Sequence, residues 1–160
     1  MKPNYEQQIA KIKKAAEKKE MRLMKRLQIA KDKPKQTPIK LLKKELRRIT
    51  HRIVRLKYDT CYSCGKYFEF AKRQAGHFFT DAGNPGTRYD FDNIKTQCQM
   101  CNYHNGGDAP YATRLLKEIG IERFNALDAK RKIKPQWSRA ELEQMIAERA
   151  IILKKLEDER

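Results

Sequence analysis

The chain has 160 residues, with 37 Lys+Arg against 20 Asp+Glu, a formal charge of +17 and a pI near 9.8. That length suits one compact domain with appendages, or two very small domains. Apolar residues make up 39%, thin for one filled core, so part of the chain is expected to be extended helix with a solvated face. No stretch approaches the ~18 consecutive apolar residues of a membrane span. The charge is also uneven: residues 1–60 hold 20 Lys+Arg and 6 Asp+Glu, whereas residues 61–160 hold 17 and 14. A uniformly basic globule is excluded, and a basic arm on a nearly neutral body is expected to meet a polyanion.

Residues 4–33 read as helix, rich in Lys, Glu, Ala, Met and Leu, with Ile9, Ile12, Ala16, Leu23 and Leu27 on one stripe. Two prolines and a charge cluster at 31–38 end it. A second helix is expected from Ile39 to Leu56, where Ile39, Leu42, Leu46, Ile49, Ile53 and Leu56 follow a 3-4-3-4-3 spacing. This seam reads as a helix packed on its own domain or as a dimer seam. About two and a half heptads fall short of a sustained coiled coil, which favours the first.

Helical periodicity stops over 58–109. Residues 67–70 (YFEF) and 76–79 (GHFF) suggest two short strands, and 81–86 (DAGNPG) is a loop by its turn chemistry. Helices are expected again over about 110–119, broken at Gly120, and over about 121–130. A last helix starts near Ser138, where Ser138 and Glu141 have capping-box spacing and Trp137 with Leu142 can form a hydrophobic staple. The expected divisions are a basic helical arm over 1–57, a central module over 58–109 and a helical region over 110–160.

The opening MKPNYEQQIAKIKK has charge but no apolar run, so no export signal is expected and the four cysteines should face a reducing cytosol. Cys61 and Cys64, then Cys98 and Cys101, form two C-x2-C pairs separated by 33 residues. Such pairs can place four thiolates around one structural Zn2+ at ~2.3 Å. A redox C-x-x-C would not need a second pair, and no βαβ pattern surrounds either one. A closed site of this kind staples an irregular module and does not itself catalyse.

Between and beside these pairs lie His77, Asn93, Asn102 and His104. A neutral histidine is a natural general base for water, and an asparagine carbonyl is a hard ligand acceptable to Mg2+ or Mn2+. A metal beside a phosphate would stabilise the developing charge and the leaving oxygen.

The order of these residues resembles the HNH, or His-metal-finger, nucleases in their zinc-stapled form, over about residues 58–107. It is similar to junction resolvases of the recombination endonuclease VII type. It is more closely similar to the phage NinG/Rap recombination family, over most of the chain. The resemblance implies a mostly α fold with a small ββα-metal zinc module, flanked by basic N-terminal helices and C-terminal helices. It makes His77 the base, Asn93 the residue that fixes the loop, and Asn102 the ligand of a catalytic Mg2+ or Mn2+. Many HNH enzymes carry an acidic metal ligand immediately before the base, where this chain has Gly76. Asp81, Asp90, Asp92, His104 and Asp108 are the candidates to replace it. His104 reads equally as a ligand and as a contact behind the metal or to phosphate.

Lys40, Lys43, Lys44, Arg47, Arg48, Arg52 and Arg55 load the second helix with cations beyond the carboxylates available to pair them, so phosphate contact is expected. His51, among them, reads as a surface or phosphate contact. Arg88 reads as a phosphate clamp or as a partner of Asp90 or Asp92. No base-reading motif is present, so recognition by backbone and shape is expected. The resemblance implies a structure-specific, divalent-metal-dependent endonuclease for branched recombination intermediates such as Holliday junctions and D-loops. The alternative is a non-catalytic zinc-finger accessory that binds DNA. Expected partners are branched double-stranded DNA, a second copy of the chain, and host or phage recombination proteins. The expected location is the cytoplasm, that of the host for a phage-encoded chain.

Overall fold

The computed structural model describes residues 5–32, 37–104 and 109–160, apart from the side chains of residues 5–7, 26–32 and 104. The chain divides into two units, Met1–Thr37 and Pro38–Arg160. The first consists of helix α1, Tyr5–Asp32. Its run of good helix formers without Gly or Pro sustains 28 residues by local propensity. The expected apolar stripe is present but unburied: Ile9, Ile12 and Leu23 are exposed, together with Met21 and Met24, and the side chain of Leu27 lies outside the described residues.

The second unit opens with α2, Ile39–Lys57, directly after Pro38, whose carbonyl accepts the Leu41 and Leu42 N–H groups at 2.9 and 3.2 Å. Its last helix, α5, spans Arg139–Asp158. Leu42 and Leu46 of α2 pack with Tyr89 and Leu142, while Ile49, Ile53 and Leu56 pack with Leu153. Met145, Ile146 and Leu156 complete the α5 face. The heptad seam is therefore filled from within the chain, each buried Leu or Ile contributing roughly 1.5–3 kcal/mol before entropy is set against it. Ser138 starts α5 with the full capping box: its hydroxyl accepts the Glu141 N–H at 3.2 Å, and its own N–H donates to the Glu141 carboxylate at 2.7 Å. Trp137 and Leu142 share one cluster, as a staple requires.

Two strands, β1 (Arg73–His77) and β2 (Ile94–Cys98), pair antiparallel with Arg73 opposite Cys98 and His77 opposite Ile94. This corrects both expected strands. At 67–70 only a single Thr60–Tyr67 bridge forms, followed by a 3-10 turn at Phe70–Lys72. The aromatic alternation there has another origin, because Phe68 packs on the cysteines and Phe70 on the α2–α5 core. The strand expected at 76–79 begins three residues earlier and ends at His77. β2 gave no alternation because all five of its residues are buried, the three polar ones by specific partners. Lys95 pairs with Glu118 at 2.6 Å, the Thr96 hydroxyl donates to the Val54 carbonyl at 2.5 Å, and the Gln97 amide donates to Ser63 Oγ at 2.7 Å.

Helix α3, Gln99–His104, follows β2 without a loop. Helix α4, Ala109–Lys130, is interrupted at the expected glycine, where Gly120 takes φ 75° and ψ 165°. Tyr111, Leu115, Ile119 and Leu127 of α4 form a core with Tyr62, Phe78, Phe79 and Phe124. The fold is mostly helical with one small sheet. Among the described residues no helix is long and apolar enough to cross a membrane.

Candidate metal centre and histidine site

The four cysteines converge. Cys61 and Cys64 come from a turn ahead of β1, Cys98 ends β2 and Cys101 lies on α3, and their sulfurs all lie within 4.8 Å of one another. Tetrahedral zinc at ~2.3 Å from each sulfur needs S–S separations of about 3.8 Å, so the cluster fits. Gly65, at φ 71°, turns the chain after Cys64, and its N–H donates to the Cys61 carbonyl at 2.9 Å. The Cys101 N–H points at Cys98 Sγ at 3.5 Å. Burial, followed by its thiol neighbours, pushes the Cys101 thiol up. Burial also opposes ionisation of Cys61, but backbone N–H groups around it, led by that of Cys64, outweigh this and lower its pKa. Four thiolates at this spacing would repel one another, and a metal such as zinc could be held here and supply the balancing charge.

His77 ends β1 opposite Ile94, at the other end of the strand pair from Cys98. Its Nε2 lies 3.2 Å from the carbonyl oxygen of Arg88. A carbonyl can only accept, so Nε2 carries the hydrogen and Nδ1 is left as the basic nitrogen. Burial lowers the His77 pKa, and Arg47 and Arg88 add to this, against the Arg88 carbonyl and Asp81. The ring is therefore held neutral at physiological pH.

Asn93 is fully buried at the base of the 78–93 loop. Its Oδ1 accepts the Phe79 N–H at 2.8 Å, and its Nδ2 donates to the Phe79 and Thr87 carbonyls at 3.1 Å each. The Tyr111 hydroxyl lies 3.2 Å from the Asn93 carbonyl and 3.5 Å from that of Gly76. The loop that follows His77 is thus tied at both ends.

Asn102 stands on α3 beside the last cysteine. Its Nδ2 donates to Gln74 Oε1 at 2.7 Å, which leaves Oδ1 as its acceptor, and Oδ1 faces Gly76. A Cβ on Gly76 would lie 3.0 Å from that oxygen and 1.7 Å from Gln97 Oε1. Gln97 thus occupies the space that a side chain before His77 would need. Of the candidates to replace an acidic ligand, Asp81 is gripped by Arg47 and Arg88, Asp90 by Lys130 and Asp92 by Arg123. The side chain of His104, and all of Asp108, lie outside the described residues. Among the described residues, the four cysteines are the one group of three or more such ligands close enough to share a metal.

Several predicted phosphate contacts have partners inside the fold. Arg47 pairs with Asp81 at 2.7 Å, Arg48 with Glu45 at 2.7 Å and Arg52 with Glu157 at 2.6 Å. Arg55 donates to the Phe70 carbonyl and stacks on its ring, and Lys43 lies over Trp137. Arg88 binds Asp81, not Asp90 or Asp92. Lys40 and Lys44 have no ion pair with a described residue.

His51 is the main correction to the site. It is not a surface contact: its Nε2 is buried without a hydrogen-bond partner, and its ring meets that of His77 edge-on, with centroids 5.4 Å apart and planes at 61°. Sequence shows only that Arg47, His51 and Arg55 fall on one helical stripe. That this stripe faces β1 is a property of the packing.

Comparison with known proteins gives a consistent relationship. The sequence-family model described as "Bacteriophage Lambda NinG protein" matches residues 1–159. The Protein ninG of Salmonella phage P22 is 37% identical over 101 residues, 62% of this chain and 49% of that protein. Its counterpart in Escherichia phage lambda is 34% identical over 101 residues, 62% and 48% of the two chains. That of Escherichia phage 933W is 39% identical over 70 residues, 43% and 34%. The aligned segments thus cover about half or less of these curated relatives' length. No solved structure matches. With a family match over almost its whole length, the chain belongs to the bacteriophage lambda NinG family.

Proposed function

We propose that the chain is a metal-dependent endonuclease of the HNH type that nicks branched DNA of recombination, Holliday junctions and D-loops among them. The observation that carries this reading is His77 at the end of β1, with Nε2 committed to the Arg88 carbonyl and the Asn102 oxygen turned toward the preceding residue. The order β1, loop, β2, α3 supports it, with Asn93 bracing the loop and the cysteine cluster fixing α3 against the strands.

On this reading Nδ1 of His77 takes a proton from water, and the neutral state imposed by burial keeps that lone pair available. Asn102 Oδ1 would hold the Mg2+ or Mn2+. When bound, that ion offsets charge building on the phosphate and on the leaving oxygen. Arg47 and Arg88, now shared with Asp81, are placed to exchange that carboxylate for phosphate oxygens. Two nicks on one junction call for two sites. A homodimer that brought them together would not use the α2 seam while α5 covers it.

The test is cleavage of a synthetic four-way junction, a flap and linear duplex with Mg2+, Mn2+ or chelator. His77→Ala should keep zinc and DNA binding and lose metal-dependent nicking. Unchanged nicking by that variant sinks the proposal. The second reading, a non-catalytic zinc module that binds branched DNA, is favoured by the lack of an available carboxylate beside Asn102 among the described residues. It predicts junction binding by the wild type with no cleavage under either metal.

A further inference from the structure

We infer that His51, on α2, is a positioning residue for His77, setting the rotation of the His77 ring so that Nδ1 faces the reacting water. This inference rests on the nuclease reading of His77. The Arg88 carbonyl fixes one point of the His77 ring, its Nε2. A single hydrogen bond still lets a ring swing about the line of that bond, and a base is efficient only when its lone pair is aimed. The edge-on ring of His51 occupies the neighbouring space. No hydrogen bond ties the buried His51 Nε2 to another group, so its contact with His77 is the interaction the structure gives it at this site.

The surroundings favour a neutral aromatic ring at this position. Arg47 and Arg55 face it from α2, and Asp81 and Arg88 lie on the loop beyond His77. A second cation there would add to two or three guanidinium groups around a base that must itself become cationic during turnover. Burial, with His77 and Arg47 as further causes, keeps His51 uncharged, its pKa pushed down to about 4. The helix that bears the predicted phosphate-contacting cations thus also supplies a wall of the histidine site.

The experiment uses the full-length, zinc-loaded chain with His51→Ala and His51→Phe. Nicking of a four-way junction under Mn2+ gives kcat and KM across pH, and NMR of the His77 imidazole in the absence of DNA gives its tautomer and titration. His51→Ala is expected to lower kcat roughly 10–100-fold with KM within about two-fold, as misplacement of a reacting group does. His77 should become a mixture of tautomers, and its titration and the acid limb of kcat should move to higher pH as desolvation is relieved. His51→Phe restores an aromatic edge and should recover kcat to within a few-fold, with a single tautomer. If His51→Ala leaves the His77 tautomer and titration unchanged, or if His51→Phe loses as much as His51→Ala, the positioning role is overturned. Absence of nicking by the wild type would refute the nuclease reading instead, and the NMR result would still decide whether His51 orders His77.

Discussion

On the HNH reading proposed above, Gly76 is where the chain departs from the usual pattern, and the structure gives a packing reason that can be measured. Gly76→Ala adds one methyl group, placed 1.7 Å from Gln97 Oε1 and 2.6 Å from Gln97 Cδ. Neither separation is tolerable. Gln97 must move, yet it is fully buried and its amide donates to Ser63 at 2.7 Å. Overpacking of this kind costs about 1–3 kcal/mol, and losing the Ser63 hydrogen bond adds about 1. A net loss of about 2–4 kcal/mol corresponds to a Tm lowered by roughly 5–15 °C for a chain of this size. In an unobstructed strand, replacing Gly by Ala would instead stabilise by about 0.5–1 kcal/mol. The sign alone is therefore informative.

The assay is thermal unfolding followed by circular dichroism with zinc in excess, on Gly76→Ala, Gln97→Ala and the double variant. Removing the Gln97 amide vacates the space, so the double variant should be more stable than the sum of the singles by about 1 kcal/mol or more. Additive effects, or a Gly76→Ala protein as stable as the wild type, would refute the reasoning. The missing carboxylate before His77 would then have no basis in packing. Gly76→Asp should behave as Gly76→Ala does, with a buried charge as a further penalty.

Three other outcomes are expected. Cys98→Ser should release the bound metal and unfold β1, β2 and α3 together, because binding energy at such a site is folding energy; zinc content and far-ultraviolet circular dichroism report it, and a folded, metal-free variant contradicts it. His51 has a folded pKa of about 4 against an ordinary 6.5, so the unfolded chain takes up its proton first as pH falls. Its contribution is full above about pH 6.5 and is lost between 6.5 and 4, by at most about 3 kcal/mol before solvent screening. In urea titrations His51→Phe should lose less stability across that window than the wild type, acid release of zinc being common to both, and superimposable curves would count against the burial of His51. Lys11, Lys14 and Lys18 on α1 have no ion pair among the described residues, so a triple alanine variant should reduce the slope of log Kd for junction DNA against log salt by roughly 2–3. Arg48→Ala with Arg52→Ala should change it less, since those cations are already paired with Glu45 and Glu157. Equal effects of the two variants would overturn this division.

What the sequence made legible was whatever repeats or carries a fixed spacing. The α2 seam, the break at Gly120, the Ser138–Glu141 cap and the two C-x2-C pairs each follow from a local rule, and each is present. β2 was invisible because a strand buried on both faces shows no alternation, and because Lys95, Thr96 and Gln97 are buried through partners up to 42 residues away. YFEF at 67–70 misled for the converse reason: two aromatic residues two apart imitate a strand while serving two separate clusters. Within the candidate site, His77, Asn93 and Asn102 are singled out in the sequence by their order around the cysteines. His51 and Gln97 are not, since each acts by occupying space beside a residue distant in sequence.

The same distinction bears on charge. A count of lysines and arginines suggests that α2 is a cationic face for a polyanion, yet each of its four arginines has a partner within the fold. Arg47 meets Asp81, Arg48 meets Glu45, Arg52 meets Glu157, and Arg55 meets the Phe70 carbonyl. Exposed pairs of this kind are weak, of order 0.2–1 kcal/mol, so phosphate can compete for them. What differs between them is the consequence of that exchange. Moving Arg48 or Arg52 to a phosphate frees a glutamate at the surface. Moving Arg47 and Arg88 frees Asp81, the carboxylate whose charge acts on both histidines that the structure brings together. Asp81 opposes the lowering of the His77 pKa, so a carboxylate released from its guanidinium partners favours the protonated imidazole more strongly. On the nuclease reading proposed above, phosphate arriving at Arg47 and Arg88 would therefore strengthen His77 as a base as the substrate docks, and α2 would take part in the chemistry as well as in the attachment.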